Sequence, residues 1–288
     1  MSKVLIATKL DQVAHQVLED AGIKVEVSPG LDENALADKI AGFEGLIVRS
    51  EKVTAKVFEA ADQLRAVVRA GTGVNTIDVA CATRRNVQVM NTPGANSNSV
   101  AELALAFMLA ACRRLAYADA SVKAGKWEKS GLMGAELVGK VLGLVGLGNI
   151  GSLVAAKARG FGMELIGFDP VISQTRAAEI GITLKSLEEI FTEADFISFH
   201  VPLNDKTRGM IGGELLGRLK KGAMLVNTAR AEVIDEKELI AFLGQRTDVL
   251  LGTDVFYEGD VEGNKSLAVL GDRLIATPHL GASTREAN

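Results

Sequence analysis

The chain has 288 residues, of which 48% are hydrophobic and 24% charged, with a formal net charge of -4. That is long enough for two cores, ordinary for a folded soluble protein, and without the basic footprint of a nucleic-acid binder. The opening run lacks a small-residue cleavage site, and the most apolar helical stretch, 101–112, is interrupted by Glu102 and closed by Arg113 and Arg114, too short to span a membrane.

Along the chain, short β-branched runs alternate with helical stretches. KVLIAT (3–8) precedes an amphipathic segment from Asp11 to Ala21, and VEVS (25–28) precedes a helical stretch from near Asp32. GLIVRS (45–50), AVVRAG (66–71) and VQVM (87–90) follow, with helices between them. This βαβ rhythm implies a parallel sheet covered on both faces. The cluster NTPGANSNS (91–99) marks a change of domain, followed by one long helical stretch to about Ala124. A second series opens at KVLGLVG (140–146) and continues through MELIGF (163–168), FISFHV (196–201), AMLVNT (223–228), VLLGTDV (249–255) and RLIATPH (273–279). The expected fold is α/β, with two doubly wound parallel-sheet domains. One is a flavodoxin-like substrate domain over 1–95, to which 279–288 return; the other is a Rossmann domain over 96–278.

The strongest motif is Gly146-Leu147-Gly148-Asn149-Ile150-Gly151. A strand leads into it and a helix leads out, the context in which this spacing binds a dinucleotide. Gly146 allows the tight turn, Gly148 allows approach of the pyrophosphate, and Gly151 allows close helix–strand packing. Free N–H groups near Asn149 and Ile150 then face the phosphates. Asp169 ends the next strand, 18 residues beyond Gly151, where a carboxylate accepts from the ribose hydroxyls and repels a 2′-phosphate. The expected cofactor is NAD rather than NADP. A methyltransferase on a related fold is the competitor, and it leaves the reacting groups below unexplained.

Three histidines are present: His15, in an early helical segment, and His200 and His279, each just after a strand. Hydride transfer from an alcohol needs a base, and either strand-end imidazole suits it. Arg230 also follows a strand, and a guanidinium grips a carboxylate in bidentate fashion. Cys81 and Cys112 lack a CxxC spacing and read as packed thiols in a reducing, cytoplasmic setting, with no metal site expected.

Taken together, VRAGTGVNTID (68–78), VMNTPGANSNSVAELALAFMLA (89–110), KWEKSGLMGAEL (126–137), GLGNIG, FHVPL (199–203), LVNTARAEVIDE (225–236), GTDVF (252–256) and TPHLGASTREA (277–287) resemble the D-isomer-specific 2-hydroxyacid dehydrogenases over essentially the whole chain. The resemblance implies that Arg230 holds the substrate carboxylate, that His279 is the acid/base, and that a glutamate hydrogen-bonds His279. It implies that Thr72, His200, Val201, Pro202, Thr228 and Asp254 line the NAD site, with Asp254 at the nicotinamide end. Arg49 and the backbone at Ala70 and Gly71 would face substrate from the other domain, in a cleft that closes over the hydride. It also implies a homodimer, with the apolar stretch 100–117 as a candidate contact.

Three departures stand out. The family's glutamate usually precedes a proline; here DVFYEGDVEGNKSL has none, so Glu258 is the candidate partner of His279 and Glu262 its rival. GVNTID carries Asn75 and Thr76 where Asp-Asn is common, with similar turn chemistry. A final helix expected after GAST is missing, so the sequence reads as a fragment or as a chain whose first domain lacks one covering helix. The expected reaction is oxidation of D-3-phosphoglycerate to 3-phosphohydroxypyruvate, a step of serine biosynthesis, with Arg49, or more weakly Lys129, meeting the phosphate. The alternatives are a glyoxylate or hydroxypyruvate reductase or another 2-hydroxyacid dehydrogenase, and, from a different class, a non-catalytic NAD sensor or scaffold.

Overall fold

The computed structural model describes residues 2–257, 267 and 270–287. The chain divides into two compact units, Met1–Asn96 with Arg285–Asn288, and Ser97–Thr284.

The first unit is built on five parallel strands, β1 (Lys3–Ile6), β2 (Lys24–Val27), β3 (Gly45–Val48), β4 (Ala66–Arg69) and β5 (Gln88–Asn91), in the order β2-β1-β3-β4-β5. This is the flavodoxin-like order. Leu5, Leu46, Val48 and Val67 pack with Leu36, Ile40, Val57 and Phe58 from the covering helices. Aspartates begin those helices where the sequence rhythm places them. Asp11 accepts from the Val13 N–H, Asp32 from Ala35 and Asp78 from Cys81, each satisfying a donor that the helix itself leaves unpaired.

The second unit carries seven parallel strands: β6 (Val141–Val145), β7 (Glu164–Phe168), β8 (Thr183–Leu184), β9 (Phe196–Phe199), β10 (Met224–Asn227), β11 (Leu250–Thr253) and β12 (Leu274–Ala276). Their order is β12-β11-β10-β9-β6-β7-β8. Strand order reverses between β6 and β9, the switch point at whose carboxyl end such sheets bind ligands. FISF and MLVN are buried at every position, as strands covered on both faces must be.

Two local features differ from the sequence reading. The helix expected to reach Ala124 is two helices, Ser97–Cys112 and Leu115–Lys123. Arg114 breaks it by adopting φ 48°, and its guanidinium donates to the Gly131 carbonyl at 2.9 Å. The two-residue strand β8 escaped notice because it lies at the sheet edge with one exposed and one half-buried side chain.

Candidate active site

Gly146 turns out of β6 with φ 96°, a conformation that strains residues carrying a Cβ. A Cβ there would stand 2.8 Å from the His200 carbonyl at the end of β9 and 3.0 Å from Val201 Cγ1. At Gly151 it would stand 2.0 Å from the Gly146 oxygen, so the helix Asn149–Gly160 packs against the turn only because no side chain is present. At Gly148 nothing lies within 4 Å. The third glycine therefore serves packing, and the middle one opens a space. Gly148 is also the N-cap of that helix and brings no side-chain acceptor, so the N–H groups near Asn149 and Ile150 face outward without a protein cap.

Asp169 closes the cradle. Its Oδ2 accepts from the Leu147 N–H at 2.9 Å, and Oδ1 from Val171 and Ile172 at 2.9 and 3.3 Å. The Asp169 carboxylate is thus held in part by the backbone of the glycine loop itself. Buried atoms beside the cradle add to the fit. Both ring nitrogens of His200 and the Thr228 Oγ1 are buried without a hydrogen-bond partner, which suits a polar ligand. Pro202, next to Val201, gives its carbonyl to the Thr207 hydroxyl at 2.5 Å, which fixes the turn after His200.

Burial separates the two strand-end histidines. Desolvation of the charged form pushes His200 from the usual imidazole value of 6.5 to about 3. It stays neutral through the physiological range and cannot cycle a proton there. His279 is exposed, three residues beyond β12, with φ 58°. Arg230 stands three residues beyond β10, half-buried, with Nη1 donating to the Ala229 carbonyl at 2.7 Å. Burial pushes its guanidinium down from the ordinary arginine value and Glu232 opposes this, yet an arginine so placed remains a cation. Asn227 holds the turn before it, donating to the Arg230 carbonyl at 3.0 Å and accepting from the Ala229 N–H at 3.0 Å. Strands β10 and β12 flank β11, so Arg230 and His279 leave one sheet edge two strand spacings, about 10 Å, apart.

Asp254 follows the intervening β11 and is 2% exposed. Its Oδ1 accepts from the Thr277 hydroxyl and the Leu280 N–H, both at 2.6 Å, and Oδ2 from the Gly281 N–H at 2.7 Å. Hydrogen bonds to a charged group contribute roughly 1.5–3 kcal/mol each. A non-glycine residue in the left-handed region costs about 1–3 kcal/mol. Three such bonds outweigh one strained residue, so Asp254 holds His279 in its turn. Glu258 and Glu262 lie outside the described residues. Tyr257, just before them, donates its phenol to the Ile234 carbonyl at 3.0 Å.

In the first unit, Arg49 follows β3 and Ala70 and Gly71 follow β4. Sequence reasoning passed over Arg69, the last residue of β4. Its Nε donates to the Arg49 carbonyl at 2.9 Å, and its Nη1 lies 2.6 Å from where a Gly71 Cβ would sit. The signal was present in VRAG, an arginine directly before the glycine turn at a strand end. Thr72 donates to Asn96 Oδ1 at 2.8 Å and takes the Asn91 side-chain N–H on its carbonyl at 2.6 Å. Lys129 is exposed in the second unit. No group of three or more histidine, cysteine, aspartate or glutamate side chains among the described residues could hold a metal ion.

A dinucleotide-binding oxidoreductase is the class that this strand order, glycine cradle and strand-end arginine and histidine define. The family model described as D-isomer specific 2-hydroxyacid dehydrogenase, NAD binding domain, matches residues 105–281. The chain is 42% identical to a hydroxypyruvate reductase of Thermotoga maritima over 99% of its own length and 93% of that protein's. It is 44% identical to a D-3-phosphoglycerate dehydrogenase of Methanocaldococcus jannaschii over 100% of this chain and 55% of that protein. The crystal structure of a cofactor (NAD+)-bound 3-phosphoglycerate dehydrogenase from Entamoeba histolytica aligns with a TM-score of 0.84 at 33% identity, over 99% of this chain and 90% of that one. The chain therefore belongs to the D-isomer specific 2-hydroxyacid dehydrogenase family, and residues 105–281 are its NAD-binding domain. It spans about half the length of the phosphoglycerate relatives that it matches.

Proposed function

We propose that this chain oxidises D-3-phosphoglycerate to 3-phosphohydroxypyruvate with NAD, the oxidation that leads toward serine. The observation that carries the reading is the pair Arg230 and His279, which leave the same end of the sheet as the glycine cradle, from β10 and β12. Bound NAD supplies the hydride acceptor. The Arg230 guanidinium pairs with the substrate carboxylate and draws electron density from the adjacent carbon. The His279 imidazole takes the hydroxyl proton as the C–H bond breaks, and returns it in the reverse direction. Asp254 keeps His279 in place, and Glu258 is its proposed charge partner, with Glu262 the alternative. Thr72, His200, Val201, Pro202, Thr228 and Asp254 are the proposed NAD contacts, with Asp254 at the nicotinamide end. Arg49 and Arg69 answer the charge of a substrate phosphate, and the backbone at Ala70 and Gly71 meets its carboxylate end.

A hydroxypyruvate reductase is the second reading, favoured by the Thermotoga relative that the chain matches over nearly its full length. Substrate preference decides between them. NADH absorbance is followed with D-3-phosphoglycerate, D-glycerate and D-lactate, and in reverse with hydroxypyruvate and glyoxylate. The highest kcat/KM is expected for the phosphorylated acid. Clear preference for an unphosphorylated acid removes the proposed substrate. NAD binding without turnover on any acid leaves an NAD sensor.

A homodimer is part of the proposal. Leu115, Trp127 and Met133 of the second unit are 59%, 84% and 92% exposed, an apolar surface of the kind that a partner copy covers. Sedimentation of the wild type beside Met133→Asp checks this. A cytoplasmic location is proposed on the free thiols of Cys81 and Cys112. No helix among the described residues is long and apolar enough to cross a membrane.

A further inference from the structure

The turn that carries His279 has a second anchor besides Asp254. Ser99, near the start of the helix Ser97–Cys112, is buried, and its hydroxyl donates to the Gly281 carbonyl at 2.7 Å. Asp254 takes the N–H of the same residue at 2.7 Å. The two peptide planes flanking Gly281 are therefore fixed from opposite sides, by groups 182 and 27 positions away in sequence. Contact is close on both sides. A Cβ on Gly281 would stand 3.1 Å from Asp254 Oδ2 and 3.2 Å from Val100 Cγ2, the residue after Ser99.

Asp254 grips Thr277, Leu280 and Gly281 from the sheet side, and the Thr277 N–H donates to the Thr253 carbonyl at 3.0 Å. The Ser99 bond adds a hold on the carbonyl side of Gly281. His279 lies two residues before the doubly held glycine, in a strained left-handed conformation that relaxes if the far end of the turn is released.

We infer that Ser99 is a positioning residue for His279, acting through the Gly281 carbonyl. The inference rests on the proposed role of His279 as acid/base. The bond from Ser99 ends two residues from His279, so its loss should act on the placement of that imidazole.

The test compares wild type, Ser99→Ala and Ser99→Thr in the whole chain. Losing one neutral hydrogen bond, and leaving a buried carbonyl unpaired, predicts a kcat about tenfold lower in Ser99→Ala. KM for NAD should stay within about twofold, because the cradle is untouched. Threonine keeps the hydroxyl and should restore most of kcat. A second measurement does not need turnover. With three histidines in the chain, imidazole NMR resolves each ring, and Ser99→Ala should move the His279 signals while His15 and His200 stay put.

Gly281→Ala perturbs the same turn by crowding rather than by release. It should lower kcat with the same selectivity if Ser99→Ala proves too unstable to purify. Unchanged kcat and unchanged His279 signals in Ser99→Ala, in a chain whose wild type turns over, overturn the inference and leave the function standing. Shifted His279 signals in a chain whose wild type oxidises no 2-hydroxy acid support the geometric link and overturn the catalytic reading instead.

Discussion

The glycine cradle makes opposite predictions for two neighbouring substitutions. At Gly148 nothing lies within 4 Å of the added methyl, and its φ of -69° is open to alanine. Gly148→Ala should therefore leave folding intact, the gain of about 0.4–1 kcal/mol from a narrower unfolded ensemble being offset by alanine's poorer fit at the N-cap. The methyl occupies the approach of the pyrophosphate, where overpacking costs about 1–3 kcal/mol. That is about a five- to 150-fold rise in Kd for NAD. At Gly151 the methyl would stand 2.0 Å from the Gly146 carbonyl, so backbone must move before the domain can form. Gly151→Ala should lose about 1–3 kcal/mol of stability, and with about 2–4 °C of Tm per kcal/mol in a unit of this size, it should melt several degrees early. Thermal melts with and without NAD, and titration calorimetry with NAD, read both quantities. Undiminished NAD affinity in Gly148→Ala would refute the assignment of that open space to the cofactor. A wild-type Tm in Gly151→Ala would refute the packing role.

Three further outcomes follow from the same geometry. His200 sits well below its unfolded value in the folded chain, so its neutral form is the stabilised one. Its contribution is complete above pH ~6.5 and drains away as pH falls toward about 3, and His200→Gln should flatten the urea midpoint over that window. Asp169→Ser removes the acceptor for three backbone N–H groups and for the ribose; NAD should bind about ten- to 100-fold more weakly and the preference over NADP should shrink, as titration with each cofactor would show. Arg69→Gln should raise KM for D-3-phosphoglycerate about tenfold and spare unphosphorylated acids, the cost of losing one charge-assisted contact, and equal losses on both substrates would assign Arg69 a structural role.

Much of this was legible because each feature is local. Apolar runs such as VLGLV and FISF announce strands buried on both faces, and Asp11 and Asp32 announce helix starts. The roles of Gly146, Gly148 and Gly151 can be assigned from spacing and context. Non-local features were not legible. Arg114 breaks a helical pattern by reaching Gly131 and Asp272, neither of which the local sequence brings near. Arg69 reads as the end of a strand until its guanidinium is seen on the Arg49 carbonyl. The resemblance places Asp254 at the cofactor, and the turn that it also holds begins 23 residues later, beyond local reading.

The two strand-end histidines show why the residue type alone could not assign the acid/base. Each follows a parallel strand at the ligand-binding edge, and each has the same intrinsic affinity for a proton. His200 belongs to the strand at the switch point, where the crowding that lets Gly146 and Gly151 pack also strips water from its ring. The tight packing that makes a good pyrophosphate cradle thereby makes a poor proton shuttle. His279 lies two strands beyond the Arg230 strand, at the margin of the sheet, where the residue is exposed to solvent. The exposed ring sits on a turn anchored by buried groups. Its order comes from hydrogen bonds to Asp254 and Ser99, both buried and both distant in sequence. In the proposed reaction, cofactor binding and proton transfer thus draw on opposite environments within one sheet, at the ends of strands that stand apart in it.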